Sequence, residues 1–232
     1  MDKTLCLLTA RKGSSLKNKN TRKILGKPLI SFPINEIVKS KKIDQFWVSS
    51  DCDYIKKLSQ EKNFNIIDRP DYLSNDTALH IDVINHALSV INNDKSFKFI
   101  VIVLGNNPCI KSEWIDDCID LLKKSSYSSV VPVYCENDFH PLRAKKIIDG
   151  KLVPFIESSQ FVSSNRQDLQ KCYFLSHNFW VIDIDRLSEK PGTPPWYFLG
   201  NEVGYYETVK TYDVHHEEDL IICEQWLKQN LI

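Results

Sequence analysis

The chain has 232 residues, of which 42% are hydrophobic and 26% are charged, and its 30 basic residues are balanced by 30 acidic ones. This length suits one compact domain with a sizeable apolar core. The composition excludes a disordered or collagen-like chain, and the lack of net positive charge argues against a nucleic-acid partner.

The amino-terminal apolar run covers only residues 5–8, which is far shorter than the core of a signal peptide or a membrane-spanning helix. We therefore expect a cytoplasmic protein without a membrane partner. The seven cysteines are scattered and form no C-x-x-C pair, so neither a disulfide framework nor a zinc site is indicated. Reduced and mostly buried thiols are expected.

Short apolar runs alternate with segments of helical periodicity through the first part of the chain. The pattern predicts strands at 5–9, 45–49, 64–67, 99–104 and 128–134, and helices at 29–38, 53–62, 81–91 and 115–122. Ser50 and Asp51 are expected to cap the second helix, and Ser112 the fourth. Strands that are apolar on both faces predict a three-layer α/β/α, Rossmann-like fold with a mainly parallel sheet. Ligands bind such sheets beyond the carboxyl ends of the strands.

The alternation stops after residue 134. Residues 143–148 and 151–156 flank an Asp149-Gly150 turn and predict a β-hairpin. Since a solitary hairpin is marginal in water, it must pack on its own domain or on a second subunit. We assign one domain over 1–232, with 140–170 as an inserted arm.

The remaining segments predict a strand at 179–184, a proline-rich loop at 191–195, a strand near 204–209 and a last helix at 217–229.

The segment 11–27 is the strongest local signal, because it combines many cations with no carboxylate directly after the first predicted strand. Its basic residues are Arg11, Lys12, Lys17, Lys19, Arg22, Lys23 and Lys27. Gly13 and Ser14 permit close approach of an anion to the backbone. A solvated lysine-rich surface would have the same composition. The place after the first strand favours a phosphate-binding loop built from side-chain cations, although neither the P-loop nor the dinucleotide fingerprint is present.

Several further motifs follow in one order along nearly the whole chain. They are Thr9-Ala10-Arg11-Lys12-Gly13-Ser14, Lys19-Asn20, Gly26-Lys27-Pro28-Leu29-Ile30, Ser49-Ser50-Asp51, Arg69-Pro70, Asp76-Thr77, Asn165-Arg166-Gln167 and Asp213-Val214-His215. In this order they resemble the motifs of the cytidylyltransferases that activate acylneuraminic acids and related 3-deoxy-2-keto sugar acids.

The resemblance implies an enzyme that transfers CMP from CTP to the anomeric hydroxyl of such a sugar acid and releases pyrophosphate. The activated sugar acid would then be used to build a cell-surface glycan. Arg11 and Lys19 are then catalytic and hold the triphosphate. Substrate contacts are implied for Ser14, Asn20, Arg69 and Asp76 on the nucleotide side and for Arg166 and Gln167 on the sugar side. The resemblance also implies Mg²⁺, with Mn²⁺ as a substitute, and a homodimer in which the hairpin serves as a dimerisation arm.

Departures from the family pattern concern the metal and the acceptor. The family's late D-x-D motif is here Asp213-Val214-His215. Magnesium takes many ligands from water and phosphate, so we predict Asp213 as the metal ligand and His215 as a modified catalytic position. Asn106 and Asn107 replace the usual polar residues of the acceptor loop and offer amide groups to the sugar.

The segment 176–180, SHNFW, replaces the family's N-G-A-I-Y, which indicates an altered sugar acid. His80, His86, His140 and His177 are assigned structural roles.

Two other interpretations stay open. One is a nucleotidyltransferase with a phosphorylated acceptor, which the altered acceptor loops allow. The other is a nucleotide-binding protein that has lost turnover at His215.

Overall fold

The computed structural model describes residues 2–13, 16–91, 97–159 and 161–230. The strands are β1 (Lys3–Thr9), β2 (Lys23–Ile24), β3 (Lys27–Pro28), β4 (Gln45–Ser50), β5 (Asn65–Asp68), β6 (Phe97–Leu104), β7 (Ser129–Cys135), β8 (Lys145–Ile148), β9 (Lys151–Pro154), β10 (Tyr173–Leu175), β11 (Phe179–Asp183) and β12 (Val203–Glu207). The α-helices are α1 (Ser31–Lys39), α2 (Asp53–Gln60), α3 (His80–Ile91), α4 (Ser112–Lys123) and α5 (Glu217–Asn230).

Eight strands form one sheet in the order β10-β7-β11-β6-β1-β4-β5, with β12 added beside β7. The neighbours β6, β1, β4 and β5 run parallel, as the sequence predicts. β11 runs antiparallel to both β6 and β7. Because of this reversal, β11 begins at the edge of the sheet where β6 ends, with Phe179 opposite Val103. The turn before β11 therefore joins the loops at the carboxyl ends of the parallel strands.

Both faces of the sheet are buried. In β1, Cys6 and Leu8 pack on one face among α1, α2 and α4, whereas Leu5 and Leu7 pack on the other face with α3. Alternate residues of β6 divide between the same two clusters. A strand buried on both faces reads as a continuous apolar run. The three-layer α/β/α prediction is confirmed.

The predicted helix caps are wrong. Cys52 holds the cap position of α2 without a side-chain bond, and the Asp51 carboxylate accepts a hydrogen bond from the Lys12 N–H at 2.7 Å instead. Ser112 is the first residue of α4, and its N–H donates to Glu36 Oε2 at 3.0 Å. At α4 a tertiary partner thus accepts from the helix N–H that a cap would serve. At α2 the predicted capping carboxylate is used by a tertiary partner instead.

Two short hairpins lie outside the main sheet. The predicted hairpin is β8–β9, whose turn residues Asp149 and Gly150 have φ of 50° and 73°, as a two-residue type I′ turn requires. Its apolar side chains are exposed, with Ile147 and Leu152 each at 73%. The second hairpin, β2–β3, follows the basic segment and was not predicted.

The seven cysteines are free thiols, and Cys135 is the exposed one among them. Burial raises the pKa of Cys6 and of Cys118, so these two thiols stay protonated at neutral pH. In the described part of the chain, no helix combines the length and the apolar character that a bilayer crossing needs.

Candidate active site

A cavity of about 350 Å³ opens at the carboxyl ends of the parallel strands, where ligands bind in sheets of this kind. Its walls come from the loops after β1, β5 and β6, from the start of α3, from the turn before β11 and from Trp196. Several distant segments of the sequence thus converge on one space.

Cations from the loop after β1 form one wall of the cavity. Arg11 Nη2 lies 2.6 Å from Asp76 Oδ1, and the Arg11 carbonyl accepts a hydrogen bond from Asn20 Nδ2 at 2.9 Å. Lys19 is buried, and this burial lowers its pKa against the attraction of Asp213. Lys19 forms no ion pair with any carboxylate in the described ranges. A desolvated ammonium group of this kind gains from an anionic ligand.

Arg69 is fixed behind this wall by the end of β4. Its Nε donates to Ser49 Oγ at 3.1 Å, and its Nη2 donates to the Ser49 carbonyl at 2.8 Å. Burial lowers the pKa of Arg69 to about 10, so the guanidinium remains charged at neutral pH. Arg69 and Asp76 both line the cavity.

Asn106 connects the cavity to the late carboxylate. Asp213 Oδ2 lies 3.4 Å from Asn106 Nδ2 and 2.6 Å from His215 Nε2. The Val214 N–H also donates to the Asn106 carbonyl at 2.9 Å. Asp213 and His215 do not line the cavity themselves and lie beside it through these contacts.

Asp219 is a supporting residue that sequence reasoning missed. Its Oδ2 accepts hydrogen bonds from the N–H groups of His215 and His216, at 2.8 and 2.7 Å. A carboxylate three residues into a helix commonly accepts such bonds, so the acidic start of α5 was a readable signal. The contact holds the backbone that carries His215.

Three predicted site residues lie away from the cavity. Asn107 is fully buried, and its amide donates to the Ser176 carbonyl and accepts from the Cys109 N–H, both at 3.0 Å. Its amide is therefore committed to the backbone and supports the loop. Arg166 pairs with Asp138 at 3.0 Å, and the exposed Gln167 follows it. In this single chain neither side chain reaches the cavity.

The other predicted residues divide as follows. Arg11, Lys19, Asn20, Arg69, Asp76 and Asn106 line the same cavity. Ser14 lies outside the described residues.

Aromatic side chains, which the sequence did not reveal as a group, also line the cavity and form what we call the aromatic wall. It consists of His80, His177, Trp180 and Trp196. The ring centroids of His80 and Trp180 are 5.4 Å apart, and those of His177 and Trp196 are 4.9 Å apart. The structural role assigned to His80 and His177 thus omitted their place in the cavity.

Both histidines of this wall are neutral at neutral pH. Burial, aided by the charge of Arg69, lowers the pKa of His80 to about 4. Burial also lowers the pKa of His177. His80 Nε2 lies 3.1 Å from Thr9 Oγ1, which ties the ring to the end of β1.

The described residues contain no group of three or more His, Cys, Asp or Glu side chains able to enclose a metal ion. Asp213 offers one carboxylate, in which the bonds to Asn106 and His215 both use Oδ2. The second oxygen, Oδ1, suits a magnesium ion that takes its remaining ligands from phosphate and water. The residues present therefore fit a metal shared with the substrate.

Comparison with known proteins agrees with this geometry. The family model described as Cytidylyltransferase matches residues 5–225. The chain is 27% identical over 226 residues to N-acylneuraminate cytidylyltransferase of Streptococcus agalactiae serotype V. The matched region covers 94% of this chain and 52% of that protein. It thus spans about half the length of the curated relatives that it matches first. It is 25% identical over 245 residues to the post-translational flagellin modification protein B of Campylobacter coli, covering 99% and 97% of the two chains.

Among solved structures, the chain is similar to CMP:2-keto-3-deoxy-manno-octonic acid synthetase complexed with CTP, with a TM-score of 0.72 and 16% identity. The match covers 99% of this chain and 100% of the other. At this level of identity the similarity establishes a shared fold.

We predict that His80 titrates near pH 4. Unfolded histidine takes up a proton near pH 6.5, whereas folded His80 does so at about 4. The stability that comes from this difference is complete above pH about 6.5 and is lost as the pH falls toward 4. NMR titration of the ring resonance, assigned by its absence in His80→Gln, measures the midpoint. A midpoint near 6.5 would contradict the prediction.

Proposed function

The chain belongs to the cytidylyltransferase family, and on that basis we propose that it transfers CMP from CTP to the anomeric hydroxyl of a 3-deoxy-2-keto sugar acid of the nonulosonic type. The observation that carries this proposal is the convergence of Arg11, Lys19 and Arg69 on one cavity beside the Asp213 carboxylate. The name of the Streptococcus agalactiae relative, N-acylneuraminate cytidylyltransferase, supports an acceptor of this class.

The reaction needs no nucleophilic side chain. The acceptor hydroxyl oxygen attacks the α-phosphorus and forms a new P–O bond, while the bond from that phosphorus to the bridging oxygen breaks. Pyrophosphate leaves with the electron pair, and the hydroxyl proton is released. Negative charge grows on the phosphate oxygens, so fixed cations lower the barrier. Arg11 and Lys19 supply these cations from the wall of the cavity.

We assign Mg²⁺, replaceable by Mn²⁺, to Asp213. The ion would supply further positive charge at the phosphates when bound. His215 Nε2, at 2.6 Å from Asp213 Oδ2, positions the carboxylate, and Asp219 holds His215 in turn through the backbone. The departure from D-x-D thus leaves one carboxylate with a fixed orientation.

We propose a homodimer in which the β8–β9 hairpin meets the second subunit. The hairpin and the residues that follow it expose apolar side chains, including Leu152 at 73% and Phe161 at 93%. An isolated hairpin of this kind is marginally stable, and exposed apolar clusters mark interfaces. The dimer would also give Arg166 and Gln167 access to a cavity that they do not reach within their own chain.

We place the enzyme in the cytoplasm, where CTP is available, and we propose that its product is used in glycan assembly.

The function is tested by incubating the protein with CTP, Mg²⁺ and a panel of acceptors and measuring pyrophosphate release. We expect release with 3-deoxy-2-keto sugar acids alone, because the Streptococcus agalactiae relative is named for an acceptor of this class. Release with a sugar phosphate or an alcohol phosphate would contradict the proposed acceptor class. Binding of CTP with no release under any condition would contradict the proposed activity.

Removing either cation of the cavity wall should weaken CTP binding. A hydrogen bond to a charged group contributes about 1.5–3 kcal/mol, so Arg11→Ala and Lys19→Ala should each raise the Kd for CTP by roughly 10- to 100-fold. Lys23→Ala removes the same charge from an exposed position of the same segment and should change Kd less than about twofold. Isothermal titration calorimetry measures all three. Equal losses would show that only the net charge of the segment matters.

Charging the hairpin should dissociate the dimer. We expect sedimentation velocity at micromolar concentration to show a dimer for the unmodified protein and a monomer for Ile147→Asp/Leu152→Asp, because charged groups are costly to bury in an apolar interface. Ile221→Asp is the control, since Ile221 is likewise an exposed apolar residue, at 63%, but lies on α5. A monomeric unmodified protein would refute the arm-mediated dimer.

A further inference from the structure

His177 adopts a backbone conformation that is unfavourable for its residue type. Its φ is 50°, in the left-handed region that glycine enters freely and other residues enter at a cost in free energy. The chain therefore keeps a ring at a point where a glycine would relieve the backbone.

The turn that carries His177 is fixed by its neighbours. The Ser176 carbonyl accepts a hydrogen bond from Asn107 Nδ2 at 3.0 Å, and Asn178 Nδ2 donates to the Cys109 carbonyl at 3.1 Å. Ser176 and Asn178 are both buried, whereas His177 between them is only half-buried. A strained conformation persists where the surrounding structure holds it in this way, and such conformations are concentrated at functional sites.

The ring of His177 forms part of the cavity wall. It lies 4.9 Å from the ring of Trp196 and 6.4 Å from that of Trp180, and all three residues line the cavity. Their shared surface is aromatic and uncharged at neutral pH, in contrast to the cationic wall.

The sheet order places His177 and Arg69 on opposite sides of the β1 loop. Arg69 and Asp76 follow β5, on one side of the β1 loop, whereas His177 precedes β11, on the other side next to β6. Asp213 lies on the His177 side through its contact with Asn106. With the triphosphate on the basic residues of the β1 loop, the acceptor would occupy the His177 side of the cavity, next to Asn106 and its contact with Asp213.

We propose that His177 determines the acceptor specificity of the enzyme. Its ring closes the acceptor end of the cavity, so the sugar acid must present a flat, uncharged substituent of limited size to the His177–Trp180–Trp196 surface. This inference rests on the proposed function and adds a residue that selects among sugar acids. The free-energy cost of the left-handed backbone at His177 is then tolerated because the ring at this position selects the acceptor.

The test compares two 3-deoxy-2-keto acids that differ in one substituent, a compact one and a bulkier one, in the unmodified enzyme and in His177→Gly. We expect the ratio of their kcat/KM values to fall at least tenfold in the variant, because the ring that excludes the bulkier acceptor is gone. The KM for CTP should change less than threefold, and the variant should stay folded because glycine adopts the left-handed φ without strain.

Two further variants separate the effect of side-chain size at position 177 from the effect of relaxing a left-handed backbone. Asn63→Gly relaxes another left-handed residue, with φ of 63°, at an exposed turn that is distant in sequence from His177. It should leave the ratio of the two acceptor kcat/KM values unchanged. His177→Asn tolerates the same φ with a smaller side chain, and its ratio should lie between those of the unmodified enzyme and His177→Gly.

The inference is overturned if His177→Gly retains CTP-dependent turnover with an acceptor ratio within twofold of the unmodified enzyme, or if the KM for CTP rises as much as that for the acceptor. Failure of the unmodified enzyme to use any sugar acid defeats the proposed function, and the inference with it. The two failures are therefore told apart by the unmodified enzyme alone.

Discussion

The pairing of β1 with β6 determines the geometry on which the candidate site depends. Thr9 lies opposite Leu104 at the ends of these strands, and the Gly105 N–H continues the ladder to the Thr9 carbonyl at 2.9 Å. A Cβ at Gly105 would meet Ile30 at 2.6 Å and Ala10 at 2.8 Å, so only glycine permits this approach. The cationic loop and the loop that contacts Asp213 therefore leave the sheet side by side, and residues of both loops line the same cavity.

The fold was largely readable from the sequence because its physical cause is local. β1 and β6 are continuous apolar runs, since both of their faces are buried, and the Asp149-Gly150 turn has the residue types that its φ values demand. The helix caps at Asp51 and Ser112 were wrong because their bonding partners, Lys12 and Glu36, are far away in the sequence. Local patterns cannot show which of two polar partners will be nearer once the chain has folded.

The same difference between local patterns and contacts distant in sequence explains which site residues could be predicted. The cationic wall was predictable because Arg11 and Lys19 lie in one dense basic segment, and motif order located Arg69 and Asp76. Asn107 was assigned to substrate because sequence does not reveal that its amide is used by two backbone groups. The aromatic wall was missed because its rings come from three segments, at 80, 177–180 and 196, that meet only in the folded chain.

The ion pair between Arg11 and Asp76 puts a negative charge directly beside one of the cations of the cavity wall. Asp76 is highly exposed, yet it lies 2.6 Å from the guanidinium that the triphosphate is proposed to use. An incoming anion must compete with this built-in carboxylate, and a singly charged ion such as chloride gains little by doing so. A polyphosphate carries enough charge to displace it or to share the arginine. In the proposed enzyme, competition with Asp76 for Arg11 would therefore favour a ligand of high negative charge over a monovalent anion.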